Sequence, residues 1–288
     1  MPLRAKQPEI KESTRAKILI SGAAGAGKSY FSMQFPTVYY IDSEQGGERE
    51  QYQELLKKSG GVYFGRESGA SDFDEVIKEF KSLATEKHPY KTVVVDSLSY
   101  LYNQKAAEAE LKVGSAFAAD KKEANKPTRQ LLRWIDKIDL NVVLIAHQKS
   151  DWSNRDKDGQ PGTTFDAYDK VSYELDLWLE LVDKKFIVRK TRIDAFKEGM
   201  VFDRAYKEFA QLFGQQGINK EVTSIVLATE GEIKLATKFA QGLNMSEEEL
   251  LNLWKKANVE SWDEMTQKQI QSCIKYLGDK IDKLKTDK

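Results

Sequence analysis

Along most of this chain the hydrophobic positions fall into short, dense runs, and polar or helically spaced stretches separate them. Lys17–Ser21, Thr37–Ile41, Gly61–Phe64, Thr92–Asp96, Asn141–Ala146, Leu175–Val182, Phe186–Thr191 and Gly199–Asp203 each read as a strand. Runs such as Thr92-Val93-Val94-Val95 are apolar on both faces, as expected of strands in a parallel sheet covered by helices on each side. The last of these strands follow one another without room for a long helix, so an antiparallel edge is expected there. Two stretches break the rhythm. Asn103–Pro127 is largely helical in composition, and Lys149–Asp169 is rich in Asp, Gly and polar residues. Structureless connections of that length inside a compact core are usually functional or mobile.

The pattern changes near Ala228. Beyond it come four capping-box signatures, Thr229-x-x-Glu232, Ser246-x-x-Glu249, Ser261-x-x-Glu264 and Thr266-x-x-Gln269. In each, the hydroxyl can satisfy an orphan amide while the acid or amide side chain reaches back. The apolar positions Ile233, Ala236, Phe239 and Ala240, then Leu250, Leu251 and Trp254, then Ile270, Ile274 and Leu277, keep helical spacing. The expected organisation is a flexible N-terminal arm over 1–15, an α/β core over 16–227 with a mostly parallel central sheet and an antiparallel edge, and a small helical bundle over 228–288.

Composition narrows the function without fixing it. The 45 Lys+Arg balance the 45 Asp+Glu, which argues against a protein that coats duplex DNA but allows a local basic groove. A single cysteine, Cys273, excludes an internal disulfide and a cysteine-rich zinc site, and His88 and His147 are the only imidazoles. A reducing cytoplasm is the expected compartment. Met1–Arg15 lacks the apolar core of a secretion signal, and no stretch approaches the ~18 apolar residues of a membrane span.

The chemistry enters at Gly22-Ala23-Ala24-Gly25-Ala26-Gly27-Lys28-Ser29, which fits G-x-x-x-x-G-K-[ST]. Apolar Ile18-Leu19-Ile20 leads into it, and Tyr30-Phe31-Ser32-Met33 can leave it as a helix whose N-terminus also favours an anion. The small residues let backbone amides reach phosphate oxygens, Lys28 adds a mobile cation, and the Ser29 hydroxyl can hold Mg²⁺. Asp96, at the end of an apolar strand, is the expected partner of Ser29 in the Mg²⁺ shell. Ser97 follows Asp96, so no general base stands there. Glu44, after the strand Val38-Tyr39-Tyr40-Ile41, is placed to orient an attacking water instead.

With these residues the chain resembles the RecA-type ATPases over roughly Lys17 to Tyr206. It is closest to the short RecA-like recombination ATPases of bacteriophages, AAA-type ATP-binding phage proteins. In that family an Asp-x-Glu follows the second strand, here Asp42-Ser43-Glu44, and the later acid is commonly followed by Ser, here Asp96-Ser97. The resemblance implies ATP rather than GTP, and puts Gln148 in the position of a γ-phosphate sensor. His147 beside it either caps the strand end or takes part in the chemistry. Lys190 and Arg192 match the Lys-x-Arg that reaches into a neighbouring subunit's nucleotide, which implies a homo-oligomer.

The resemblance further implies single-stranded DNA as a partner, carried by Asn103–Arg133 and Lys149–Lys170. Basic side chains outnumber acidic ones in the first; the second is slightly acidic, but holds Trp152, Phe165 and Tyr168, which can stack on bases. A phage or host single-strand-binding protein is a further expected partner, through the C-terminal module, in the cytoplasm of a bacterial host. Three functions fit these residues: a DNA-dependent recombination or repair ATPase, a helicase-like or loader ring motor, and an ATP-dependent assembly switch that acts on protein alone.

Overall fold

A computed structural model describes residues 14–114, 119–155 and 157–286. The expected N-terminal arm lies outside them except for Thr14 and Arg15, and Asp156 lies outside them as well. The chain forms two compact units. The first comprises the residues up to Phe80, then His88–Ile135 and Asp139–Val222; the second comprises Lys81–Lys87, Asp136–Ile138 and Thr223–Lys288.

The first unit holds β1 (Lys17–Gly22), α1 (Lys28–Ser32), β2 (Val38–Asp42), α2 (Glu50–Ser59), β3 (Val62–Phe64), most of α3 (Phe73–Thr85), β4 (Thr92–Asp96), α4 (Leu98–Val113), α5 (Ala119–Lys137, all but its last turn), β5 (Asn141–Arg155), β6 (Pro161–Phe165), α6 (Val171–Glu174), β7 (Leu177–Val182), β8 (Lys185–Thr191), β9 (Val201–Asp203), α7 (Tyr206–Phe213) and α8 (Gln215–Asn219). Its sheet runs β3-β2-β4-β5-β1-β7-β8-β9. Every pair from β3 to β7 is parallel, and β8 and β9 form an antiparallel edge, as the apolar runs predict. The register sets Gly22 opposite both His147 and Leu181, and Asp42 opposite Asp96. The carboxyl ends of β1, β2 and β4 therefore meet at one edge, where ligands of such sheets bind.

Close approach and packing fix that edge. A Cβ on Gly22 would stand 2.6 Å from the Leu181 carbonyl oxygen, so only glycine lets β1 lie against β7 at this point. The helix after the loop has just five residues and draws its stability from packing. Its Phe31 meets Phe186 edge-on at 4.7 Å and Phe35 and Phe209 at 5.6 Å, inside a fully buried aromatic cluster.

Lys149–Asp169 is not structureless: β5 continues to Arg155, and β6 returns against it, with Gln148 opposite Phe165 and Ser150 opposite Thr163. Both faces of this hairpin are polar, so no alternation of hydrophobicity marks it in the sequence.

The second unit contains α9 (Glu230–Gly242), α10 (Glu247–Lys256) and α11 (Gln267–Thr286) around buried Ala236, Ala240, Val259, Trp262, Met265, Ile270 and Leu277. The boxes at Thr229, Ser246 and Thr266 all form their reciprocal hydrogen bonds. The fourth does not. Ser261 Oγ donates to Asp263 instead, and Trp262–Glu264 makes one 3₁₀ turn. Burying Trp262 and Met265 stops that turn from extending before Thr266 caps the next helix. No described helix is long and apolar enough to cross a membrane.

Candidate active site

The loop Gly22–Ser29 joins β1 to α1. Lys28 Nζ donates to the carbonyl oxygens of Gly22 and Ala23, each at 2.8 Å, which folds the side chain across the loop. Burial holds its ammonium below the ordinary lysine range, partly offset by Asp96 and Glu44. The Gly25 and Gly27 amides make no hydrogen bond among the described residues, so they remain free to donate to phosphate oxygens. With α1 this short, its dipole adds little to what those amides and Lys28 offer an anion.

Ser29 and Asp96 come together from β1's loop and the end of β4. Ser29 Oγ donates to Asp96 Oδ2 at 2.5 Å, and the Tyr40 hydroxyl donates to the same oxygen. Burial raises the Asp96 pKa against the pull of these two hydrogen bonds. Hydroxyl and carboxylate oxygens are hard ligands of the sort Mg²⁺ takes in ones and twos, completing its shell with water and phosphate. Among the described residues no cluster of His, Cys, Asp and Glu would hold a metal by itself. The donor set fits a Mg²⁺ shared with a nucleotide.

Glu44 lies beside this pair. Its Oε1 accepts from the Ser97 hydroxyl and sits 2.9 Å from His147 Nε2. Partial burial pushes the Glu44 carboxyl up, but the hydrogen bonds from His147 and Ser97 outweigh it and hold the group below its usual range. The same contact with Glu44 raises His147 against its own burial. Asp42 shapes the turn that presents Glu44, accepting from the amides of Gly47 at 2.6 Å and Glu44 at 3.1 Å. The Ser97 amide donates to Ser43 Oγ at 2.8 Å, which ties the two strand ends together.

Adjacent strand residues point to opposite faces, and this separates His147 from Gln148. Gln148 Nε2 donates to Glu180 Oε1 at 2.9 Å. Glu180 is buried in β7 and also accepts from Thr163 and from Arg189, a polar hub that the sequence did not reveal. Lys190 and Arg192 stand away from their own loop. Lys190 pairs with Trp178, which lies beside Leu19, three residues or about 10 Å short of Gly22. Their side chains donate to the carbonyls of Leu175 and Tyr173.

A further cation reaches the loop that no motif announces. Arg204 follows β9, and its Nη1 donates to the Ala26 carbonyl at 2.8 Å, with the guanidinium 5.8 Å from the Tyr30 ring. The signal for it lies in strand order alone, because β9 ends at the same edge of the sheet as β1.

In the segments expected to meet DNA, several cations already have carboxylate partners. Lys105 pairs with Asp74 and Glu108, Lys126 with Glu123, and Lys149 with Asp166. Phe165 is buried edge-on against Trp178, whereas Trp152 on the hairpin is 63% exposed beneath Arg155.

No curated protein matches the sequence. Among solved structures, a DnaB-like replicative helicase, described with its interactions with primase, matches at 12% identity and a TM-score of 0.42; the match covers 66% of this chain and 56% of that one. The chain thus spans little more than half the length of that helicase. A protein from Pyrococcus horikoshii OT3 matches at 11% identity and a TM-score of 0.34, over 67% of this chain and 96% of that one. The family model described as AAA domain matches residues 14–217, the stretch that carries the loop, Glu44, Asp96 and the sheet that aligns them, and the chain belongs to that family of P-loop ATPases.

Proposed function

We propose that this chain is a RecA-type recombination or repair ATPase of the short bacteriophage kind. In this reading it oligomerises with ATP at subunit interfaces and binds single-stranded DNA. The observation that carries the reading is the meeting of Lys28, Ser29, Asp96 and Glu44 at one edge of the sheet. The amides of the loop and Lys28 hold the β- and γ-phosphates, and Ser29 with Asp96 holds Mg²⁺, which neutralises charge on the phosphate oxygens when bound. Glu44, kept ionised by His147 and Ser97, accepts a proton from the water that attacks the γ-phosphorus. The bond to the β–γ bridging oxygen breaks, and ADP and inorganic phosphate result. Gln148 leaves its hydrogen bond to Glu180 to sense the γ-phosphate. Lys190 and Arg192, too far from their own loop, supply positive charge to a neighbour's nucleotide. The core spans 16–227, and the module over 228–288 recruits a single-strand-binding protein in the host cytoplasm.

ATP hydrolysis with and without single-stranded DNA across a salt series tests this, with Lys28→Ala as the blank. Stimulation by DNA that fades with salt is expected. A second reading, a switch that acts on protein alone, draws support from the carboxylate-paired lysines of α4 and β5. Hydrolysis that rises with protein concentration and ignores DNA would select it.

A further inference from the structure

The phosphate loop has two sides, and the proposed chemistry uses one of them. Asp96, Glu44 and His147 stand on the β4 side of β1. On the other side lie β7, β8 and β9, and the chain leaving β9 presses Arg204 against the loop. The fit is close. Gly27 has a φ of +104°, and a Cβ there would stand 2.0 Å from Arg204 Nη1. Only Nη1 is committed, to the Ala26 carbonyl; Nε and Nη2 make no hydrogen bond among the described residues, and no carboxylate pairs with the guanidinium there. Beneath it the Tyr30 ring is 44% exposed.

A nucleoside triphosphate is longer than the loop that holds its phosphates. With the γ end directed to Asp96 and Glu44, the nucleoside end can leave on the Arg204 side. We propose that Arg204 and Tyr30 form the nucleoside platform of this site. One face of the guanidinium covers the Tyr30 ring, and the other takes the purine. A planar cation suits this task, because it stacks on aromatic faces and carries donors at its rim. The inference rests on the nucleotide reading and adds to it the residues that grip the base.

The alternative is that Arg204 merely braces the loop through the Ala26 carbonyl, and two ligands separate the ideas. Calorimetric titration of the full chain with a non-hydrolysable ATP analogue and with inorganic tripolyphosphate, each with Mg²⁺, compares a ligand that has a base with one that has none. Arg204→Ala is expected to weaken the analogue about tenfold or more and to leave tripolyphosphate within about twofold, in line with the energy of one stacked base. Tyr30→Ala should follow the same pattern more weakly. Arg204→Lys, which keeps the charge and a donor for Ala26, should recover little of the loss; this variant also serves should the alanine form not fold. Equal weakening of both ligands, or of neither, overturns the platform. Wild-type protein that binds neither ligand in a Lys28-dependent way overturns the nucleotide reading and the platform together.

Discussion

Glu44 and His147 each hold the other in its charged form, and this sets a pH window. His147 has a raised pKa in the folded chain, so its contribution to stability is full below the ordinary histidine value of 6.5 and is lost as pH climbs through the raised one. Glu44 has a lowered pKa, so its contribution is full above the ordinary 4.5 and is lost as pH falls through the lowered one. The pair therefore stabilises most in mildly acidic solution. With His147 47% and Glu44 32% exposed, solvent screening keeps the effect under about 1 kcal/mol. His147→Gln should accordingly lower Tm by about 2–3 °C near pH 6, and thermal melts should show the gap shrinking toward pH 9. Glu44→Gln is a sharper change. It should bind ATP normally and lose turnover by about 10² to 10⁴, read as single-turnover phosphate release; ordinary hydrolysis in that variant would remove Glu44 from the base role. Lys28, Ser29, Glu44 and Asp96 stand in the sequence as local motifs, because each lies next to the strand end that positions it. His147's contact with Glu44, the Glu180 hub and Arg204 depend on which strands are neighbours, and no spacing along the chain records that.

At the scale of elements, α1 is held by its packing more than by its length. Phe31→Ala removes the ring that Phe35, Phe186 and Phe209 surround, and should cost about 3–5 kcal/mol in denaturant unfolding. Because the same helix anchors Lys28 and Ser29, ATP affinity should fall in parallel. The exposed tip of the β5–β6 hairpin is the opposite case: a change there should cost function and little stability. Trp152 packs against nothing that a fold needs, so Trp152→Ala should leave ATP binding intact. If the hairpin meets single strands, their affinity falls about fivefold to a hundredfold, measured by fluorescence anisotropy. The sheet strands were legible because burial on both faces forces dense apolar runs. The hairpin was not, since its two strands are polar apart from Trp152 and Phe165 and so carry no hydrophobic period. The capping boxes show the limit of local signals: Ser261 and Glu264 have the right spacing, yet burial of Trp262 and Met265 overrules it.

For the molecule as a whole, the direction of β8 decides how copies would cooperate under the proposed reading. An antiparallel strand carries Lys190 and Arg192 to the sheet edge opposite the phosphate loop, so under the proposed reading each site borrows its last cations from another copy. Arg192→Ala and Glu44→Gln should each be inactive alone. Mixed in equal amounts they should recover about a quarter of wild-type hydrolysis, the share of interfaces at which a sound Glu44 meets a sound Arg192. A contact of this head-to-tail kind closes into a ring or stays open as a chain. In a ring every site is complete. In an open chain one terminal site always lacks its donor, however long the chain grows, so its ATP persists while the interior turns over. Such an assembly would have a stable end and a labile end before any DNA is present, and the polarity of its growth and loss would already be written into the direction of one strand, β8.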